Sequence, residues 1–116
     1  MQVILLPEIL DYLEYLSEIL YEKGYFSYQT TSLKYVLELY DDIISGLPRK
    51  RHKPAPKHYD KYGKDMYYAA FVKNKRTTWY AFFTKYDNNG ELIYLIRYIG
   101  NNHTEAYHLY EDFKGK

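Results

Sequence analysis

The chain has 116 residues, no cysteine and a formal net charge of +1. This length is typical of one domain with one modest hydrophobic core, and the lack of cysteine excludes disulfides, thiolate metal ligands and cysteine nucleophiles. No apolar run approaches the ~20 residues of a membrane span. Residues 1–6 lack the basic segment and the cleavage site of a signal peptide. We therefore expect a single cytoplasmic domain over residues 1–116.

The charges are unevenly distributed along the chain. Residues 1–46 contain eight acids and two bases, residues 47–86 contain eleven bases and two acids, and residues 87–116 contain five acids and three bases. A basic middle segment on a nearly neutral chain predicts one positive surface that can attract a polyanion, although a solvated surface without a partner has the same composition. The 17 tyrosines suit both strands and base stacking.

The first half of the chain predicts one strand followed by two helices. Gln2 to Leu6 is a short apolar run, typical of a strand, and Pro7 suits the first turn of a helix because its missing N–H is not needed there. Apolar residues then recur at helical spacing as far as Gly24, which ends the helix. A second helix is predicted from about Gln29 to Ser45, and Gly46 ends it. So short a link between the helices favours an antiparallel hairpin.

A basic segment, Arg49 to Lys64, follows the helices. It contains seven lysines or arginines, two prolines and no apolar periodicity, so we expect an exposed loop. Loops of this length without structure are uncommon in compact domains and are often functional. The candidate RNA-binding residues in this segment and at the next turn are Arg49, Lys50, Arg51, Lys53, Lys57 and Lys75.

The most informative stretch is Thr77 to Asn102, which predicts two long strands joined by a tight turn. An aromatic run, Tyr80 to Tyr86, and an aliphatic run, Leu92 to Ile99, flank the pair Asn89-Gly90. Asn-Gly is the strongest short-range hairpin signal because both residues tolerate positive φ. The first of these strands is apolar on both faces, which places it inside a sheet. Met66 to Lys73 predicts the strand before it.

Together these elements predict an α+β fold of order β-α-α-β-β-β. The last three strands form an antiparallel meander, and the first strand joins their sheet because a lone strand leaves its backbone groups unpaired. The helical hairpin covers one face of this sheet, and the other face is less fully covered. His103 to Lys116 has apolar residues at roughly helical spacing, which is compatible with a short C-terminal helix.

Strong enzyme motifs are missing from the sequence, and the four histidines lack the neighbours of a metal site, so neither a metal nor a cofactor is predicted. Cleavage of a phosphodiester in RNA remains a candidate reaction. It needs only a base for the 2′-OH proton, an acid for the 5′ oxygen and cations for the phosphorane. The candidate catalytic residues are His103, Arg76, Arg97 and Tyr107. Of these, Tyr107 can instead be a residue that packs in the core.

Two of these candidates are distinguished by their positions. His103 directly follows the last predicted strand, so it can lie at the rim of the sheet and reach a ligand; an ordinary surface histidine can occupy the same place. Arg97 lies in a strand that is otherwise rich in apolar residues, on the face of Ile93, Leu95 and Ile99. It is either a functional group on the open face or the partner of a carboxylate on the acidic helices.

The element order and the closing residues Gly100-Asn101-Asn102-His103 resemble the RelE/ParE superfamily of type II toxin–antitoxin toxins. The resemblance covers nearly the whole chain, from the first strand through the helical hairpin and the basic segment to the meander. It implies a small α+β fold that a cognate antitoxin wraps with a helix or an extended segment. One branch of this superfamily cleaves mRNA in the ribosomal A site, and the other poisons DNA gyrase without nuclease residues.

The resemblance also implies positions for site residues: cations after the second helix and in the central strands, and a tyrosine or histidine near the C-terminus. Arg76 stands one or two residues before the position of a catalytic arginine, and His103, or Tyr107 a turn later, fits the C-terminal position. Asn101 and Asn102 stand where many nucleases of the superfamily have arginine. The cations that fit the first position are Lys50, Arg51 and Lys53.

The expected function is therefore that of a toxin acting as a ribosome-dependent mRNA endonuclease. Its expected partners are a cognate antitoxin, the ribosome and mRNA. The two asparagines in place of arginine leave open a toxin that poisons DNA gyrase. A non-catalytic RNA- or protein-binding module is a further alternative, because tyrosines and a basic segment also suit binding alone.

Overall fold

The computed structural model describes residues 1–103, and its elements follow the predicted order except for one additional two-residue strand after the second helix. Neither of its two α-helices combines the length and the apolar character that crossing a bilayer requires. The predicted C-terminal helix and Tyr107 lie outside the described residues. The bounds are β1 Gln2–Leu5, α1 Pro7–Glu22, α2 Gln29–Gly46, β2 Lys53–Pro54, β3 Tyr67–Asn74, β4 Thr77–Asn88 and β5 Glu91–Asn101, with 3-10 turns at Leu47–Arg49 and Lys57–Lys61.

The strands of the described residues form one sheet in the order β1-β5-β4-β3-β2. β3, β4 and β5 are the predicted antiparallel meander. β1 joins the sheet as predicted, beside β5 and parallel to it, with Ile4 opposite Leu95. Asn89 and Gly90 form the turn between β4 and β5 with positive φ angles of 53° and 89°. The predicted α+β fold is confirmed.

The helical hairpin covers one face of the sheet, which we call the helix face. α1 begins at Pro7, and Gly24 follows its end with a φ of 82°. Ser32 of α2 is fully buried, and its hydroxyl donates a hydrogen bond to the backbone carbonyl of Ser17 in α1, which holds the two helices close together. The helix residues buried against this face are Ile9, Leu13, Leu16, Val36, Leu39 and Ile43.

The expectation that Arg49 to Lys64 is an exposed loop without structure is wrong. β2 pairs with β3, and the second 3-10 turn places Tyr59 on the other face of the sheet, which we call the loop face. Tyr59 is fully buried there, and its ring centroid lies 4.3 Å from that of Phe82. A second core therefore forms on the loop face. Its buried members are Tyr59, Met66, Tyr68, Tyr80 and Phe82.

A β-bulge in β5 places Arg97 and Ile99 on opposite faces of the sheet. The register between β4 and β5 shifts between Phe82 and Phe83, so Arg97 is an extra residue without an opposite partner. Arg97 and Tyr98 consequently both lie on the loop face, whereas Ile99 is buried in the core of the helix face. The expectation that Arg97 and Ile99 share a face is therefore wrong, because the extra residue resets the alternation of side chains.

Gly63 is the point where the basic segment comes closest to Arg97. A Cβ atom on Gly63 would lie 2.6 Å from Cδ and 3.0 Å from Nε of Arg97. Arg97 is held in place, because its Nε donates to the hydroxyl of Thr84 at 2.8 Å and its Nη2 donates to the hydroxyl of Tyr86 at 2.7 Å. A side chain at position 63 therefore forces either the basic segment or Arg97 to move.

We expect Gly63→Ala to lower the free energy of unfolding by about 1–2 kcal/mol, measured by urea denaturation, because of this overlap. The matched control is Gly46→Ala, whose Cβ would lie 3.5 Å from the Phe71 ring; it should leave stability unchanged or raise it slightly, since alanine favours helix. In an Arg97→Ala background the cost of Gly63→Ala should largely disappear. Equal decreases in the free energy of unfolding for Gly63→Ala and Gly46→Ala would contradict the contact between Gly63 and Arg97.

Candidate functional site

The structure divides the predicted catalytic residues between two places. Arg76 and His103 lie at one end of the sheet, where β3 turns into β4 and where β5 ends. The guanidinium of Arg97 instead contacts Thr84. Thr84 lies seven residues after the first residue of β4, which is about 23 Å from the end of the sheet that bears Arg76 and His103. Tyr107 lies outside the described residues. The structure therefore brings Arg76 and His103 together and leaves Arg97 apart from them.

Asn102 ties this end of the sheet together. Its side chain is buried; Nδ2 donates to the backbone carbonyl of Arg76 at 2.8 Å, and Oδ1 accepts from the backbone N–H of Thr78 at 2.9 Å. The backbone N–H of Asn102 also donates to the carbonyl of Thr78 at 3.2 Å. These three hydrogen bonds join the β3–β4 turn to the segment after β5, so they fix the positions of Arg76 and His103 relative to each other.

His103 is exposed, and hydrogen bonds on both its backbone and its ring orient it. Its backbone N–H donates to Oδ1 of Asn101 at 2.8 Å. Its Nε2 lies 3.3 Å from Oγ1 of Thr77, and the tautomer of the ring decides which of the two atoms donates. An imidazole can act as a general base or a general acid. His103 is thus an oriented and accessible group for proton transfer.

A cleft of about 600 Å³ opens beside His103, between the end of the helical hairpin and the sheet. This volume lies within the range of about 300–1,000 Å³ that is common for small-molecule sites. The described lining contains no carboxylate; Lys23 and His103 are its only groups that can carry a positive charge. Burial raises the pKa of the Tyr12 hydroxyl in this lining, so that hydroxyl stays neutral. The aromatic residues on the helix side are Tyr12, Tyr25, Phe26 and Tyr35.

Trp79 forms the inner wall of the cleft and holds Tyr35 in position. Trp79 is almost completely buried, and its Nε1 donates to the hydroxyl of Tyr35 at 2.9 Å. The ring of Phe26 lies 5.3 Å from that of Tyr35, tilted by 52°. Nζ of Lys73 lies 5.1 Å from the Tyr35 ring and 3.4 Å from the carboxylate of Asp42. The wall is therefore formed before any ligand enters.

The predicted RNA-binding residues do not form one continuous surface. Arg51 and Lys53 lead into β2, and Lys57 begins the turn on the loop face. Arg49 and Lys50 follow α2; Nζ of Lys50 lies 5.1 Å from the ring of Phe71 in β3.

Lys75 is the predicted RNA-binding residue that lies at the His103 end, in the β3–β4 turn beside Arg76. Beyond Tyr68, β3 has no further pairing with β2, so among the described residues its outer edge is unpaired toward this turn. The cations that follow this edge toward the cleft are Lys50, Lys73, Lys75 and Arg76.

The cleft itself was not predicted. The aromatic residues on its helix side come from both helices and from the link between them. Tyr25 and Phe26 gave the available signal, because two aromatic residues in a short exposed link have little core to fill. Their partners in the cleft come from strands 48 to 76 residues away in sequence, which a local pattern does not identify.

Comparison with known proteins finds no matching family model, no matching curated protein and no matching solved structure. The resemblance to RelE/ParE toxins therefore stays a prediction from the sequence pattern.

We expect Asn102→Ala to lower the free energy of unfolding by about 1–3 kcal/mol, because it leaves the buried N–H of Thr78 and the carbonyl of Arg76 without their partners. The matched control is Asn88→Ala, an exposed asparagine at the far end of β4, which should change stability by less than about 0.5 kcal/mol. Urea denaturation followed by Trp79 fluorescence measures both. Similar values for the two variants would show that Asn102 does not hold the site together.

Proposed function

We propose that this protein is a cytoplasmic toxin of the RelE/ParE type that cleaves mRNA on the ribosome without a metal ion. The placement of His103 and Arg76 at one end of the sheet, joined through Asn102, is the observation that carries the proposal. An oriented imidazole and a neighbouring cation are two of the groups that cleavage next to a 2′-OH needs. The element order, in which one strand and a helical hairpin precede the antiparallel meander of β3, β4 and β5, also supports this class of toxin.

The proposed reaction is an internal transfer of the phosphodiester. The imidazole of His103 takes the proton of the 2′-OH, whose oxygen attacks the adjacent phosphorus. The O2′–P bond forms and the P–O5′ bond breaks, while Arg76 and Lys75 stabilise the charge on the non-bridging oxygens. The departing 5′ oxygen takes a proton from a second group, for which Tyr107 is the sequence-based candidate. The products are a 2′,3′-cyclic phosphate and a 5′-hydroxyl end.

Arg97 has a structural role in this proposal. It lies on the loop face, and its guanidinium holds the hydroxyls of Thr84 and Tyr86 across the β-bulge. Both hydroxyls belong to β4, far from the end that bears His103. Arg97 therefore stabilises the pairing of β4 with β5 and the contact with Gly63, and takes no part in the chemistry.

Such a toxin requires a cognate antitoxin. The open edge of β3 carries cations and the cleft is largely apolar, so the contacting segment of the antitoxin should be acidic or apolar. Coverage of this end of the sheet would block access to His103 and so neutralise the toxin.

We expect His103→Ala to lower the rate of mRNA cleavage on programmed ribosomes by about 10²–10⁴-fold, because the base is lost. Arg76→Ala should lower it by about 10²–10³-fold through loss of charge stabilisation. The matched controls are His58→Ala, an exposed histidine within the 3-10 turn of the basic segment, and Lys34→Ala, an exposed cation on α2. Both controls should keep most of the activity. Single-turnover cleavage with primer extension measures all four variants.

Inducible expression in a bacterium separates this proposal from its rivals. Growth arrest with rapid loss of protein synthesis supports cleavage of mRNA. Arrest with DNA damage and continuing translation would replace it with poisoning of gyrase, and no arrest would replace it with a binding module. Unchanged toxicity of both His103→Ala and Arg76→Ala would refute the assigned site.

A further inference from the structure

The cleft beside His103 has a lining that the cleavage chemistry alone does not explain. Its helix side presents aromatic rings, and its strand side presents the amides of Asn74 and Asn101. We infer that this cleft binds one unpaired nucleobase of single-stranded RNA, adjacent to the phosphate held by Lys75 and Arg76. The inference rests on the proposed function for the identity of the RNA, but the binding itself can be measured without any cleavage.

The aromatic side of the cleft suits the flat face of a base. Tyr25 is 68% exposed, and Phe26 and Tyr35 are partly exposed. The rings of Phe26 and Tyr35 are tilted by 52°, so they do not form a parallel stack with each other. Recognition of single-stranded RNA relies on unpaired bases that stack on rings of this kind.

The strand side of the cleft suits the polar edge of a base. Asn74 accepts a hydrogen bond from the backbone N–H of Arg76 through Oδ1, and Asn101 accepts one from His103 in the same way, each at 2.8 Å. These bonds fix the orientation of both amides. Amide groups supply donors and acceptors that match the ring nitrogens and exocyclic groups of bases.

The charges around the cleft suit the phosphates of a polyanion. Its described lining contains Lys23 and no carboxylate. Lys75 and Arg76 form the turn between the lining residues Asn74 and Thr77. A nucleotide whose base enters the cleft therefore meets cations at the rim, where its phosphates lie, and the adjacent phosphate lies beside His103.

The chain offers an internal probe for this ligand. Trp79 is the only tryptophan of the protein, and it forms the inner wall of the cleft. A base that stacks in the cleft should quench its fluorescence in a saturable way. The ligand is a 2′-O-methylated adenylate trinucleotide, which cannot be cleaved because its 2′ oxygens are blocked.

We expect this trinucleotide to quench Trp79 fluorescence, and we expect Tyr25→Ala and Phe26→Ala each to raise its Kd about tenfold by removing a stacking surface. Tyr28→Ala is the matched control, because Tyr28 is 70% exposed in the same link but is not among the residues that line the cleft; its Kd should match that of the unmodified protein. The corresponding abasic trinucleotide, which keeps the phosphates, should give no saturable quenching.

The possible results separate the nucleobase site from the cleavage activity. Equal binding of the abasic trinucleotide, or an unchanged Kd for both Tyr25→Ala and Phe26→Ala, overturns the nucleobase site even if the protein cleaves mRNA. Equal quenching by a glutamate-rich peptide also overturns it and indicates a protein ligand. Base-dependent quenching that Tyr25→Ala weakens supports the site even if cleavage on ribosomes is absent, in which case only the proposed function fails.

Discussion

The burial of β4 on both of its faces is the constraint on which the rest of the structure depends. A strand that is apolar on both sides needs one covering layer on each face of the sheet. The helical hairpin supplies the first layer. The second must come from the segment between α2 and β3, which is why Tyr59 lies against Phe82 although its segment is basic overall. The residues of β4 with no more than 1% exposure are Trp79, Tyr80, Ala81, Phe82 and Phe83.

The candidate site lies where this two-sided packing ends. Trp79 is the last fully covered residue toward the start of β4, and it is also the inner wall of the cleft. Beyond Trp79 the helices end, and the link between them contributes aromatic rings at the surface instead of a buried row of apolar side chains. At this end of the sheet, the hydrogen bonds of Asn102 hold the chain segments together in place of apolar packing. These bonds fix the position of His103 relative to Arg76. The site is thus open to solvent but built on a rigid edge of the core.

Local sequence patterns predicted the helices and strands, whereas contacts between residues distant in sequence determine the geometry of the candidate site. Pro7, Gly24 and Asn89-Gly90 act through the backbone angles of a few residues, so the ends of the helices and the β4–β5 turn could be read from the sequence. The place of His103 followed from the end of β5. The change of face between Arg97 and Ile99 could not be predicted, because one extra residue in a bulge reverses every later side chain and no local signal marks it. The burial of Tyr59 likewise could not be predicted from its own segment, because it depends on contacts with strands that come later in the sequence.

The separation of charge along the chain favours the turn end of the sheet as the place where a polyanion binds. The helices are strongly acidic, and where they meet the basic edge of β3 the cation Lys73 lies 3.4 Å from the carboxylate of Asp42. That pair weakens the local attraction for a phosphate and adds little stability, because Asp42 is largely exposed. Lys75 and Arg76 lie at the β3–β4 turn, beside a cleft whose described lining contains no carboxylate. In the proposed complex, the phosphates of the RNA are therefore expected at this turn beside His103, with one base in the cleft.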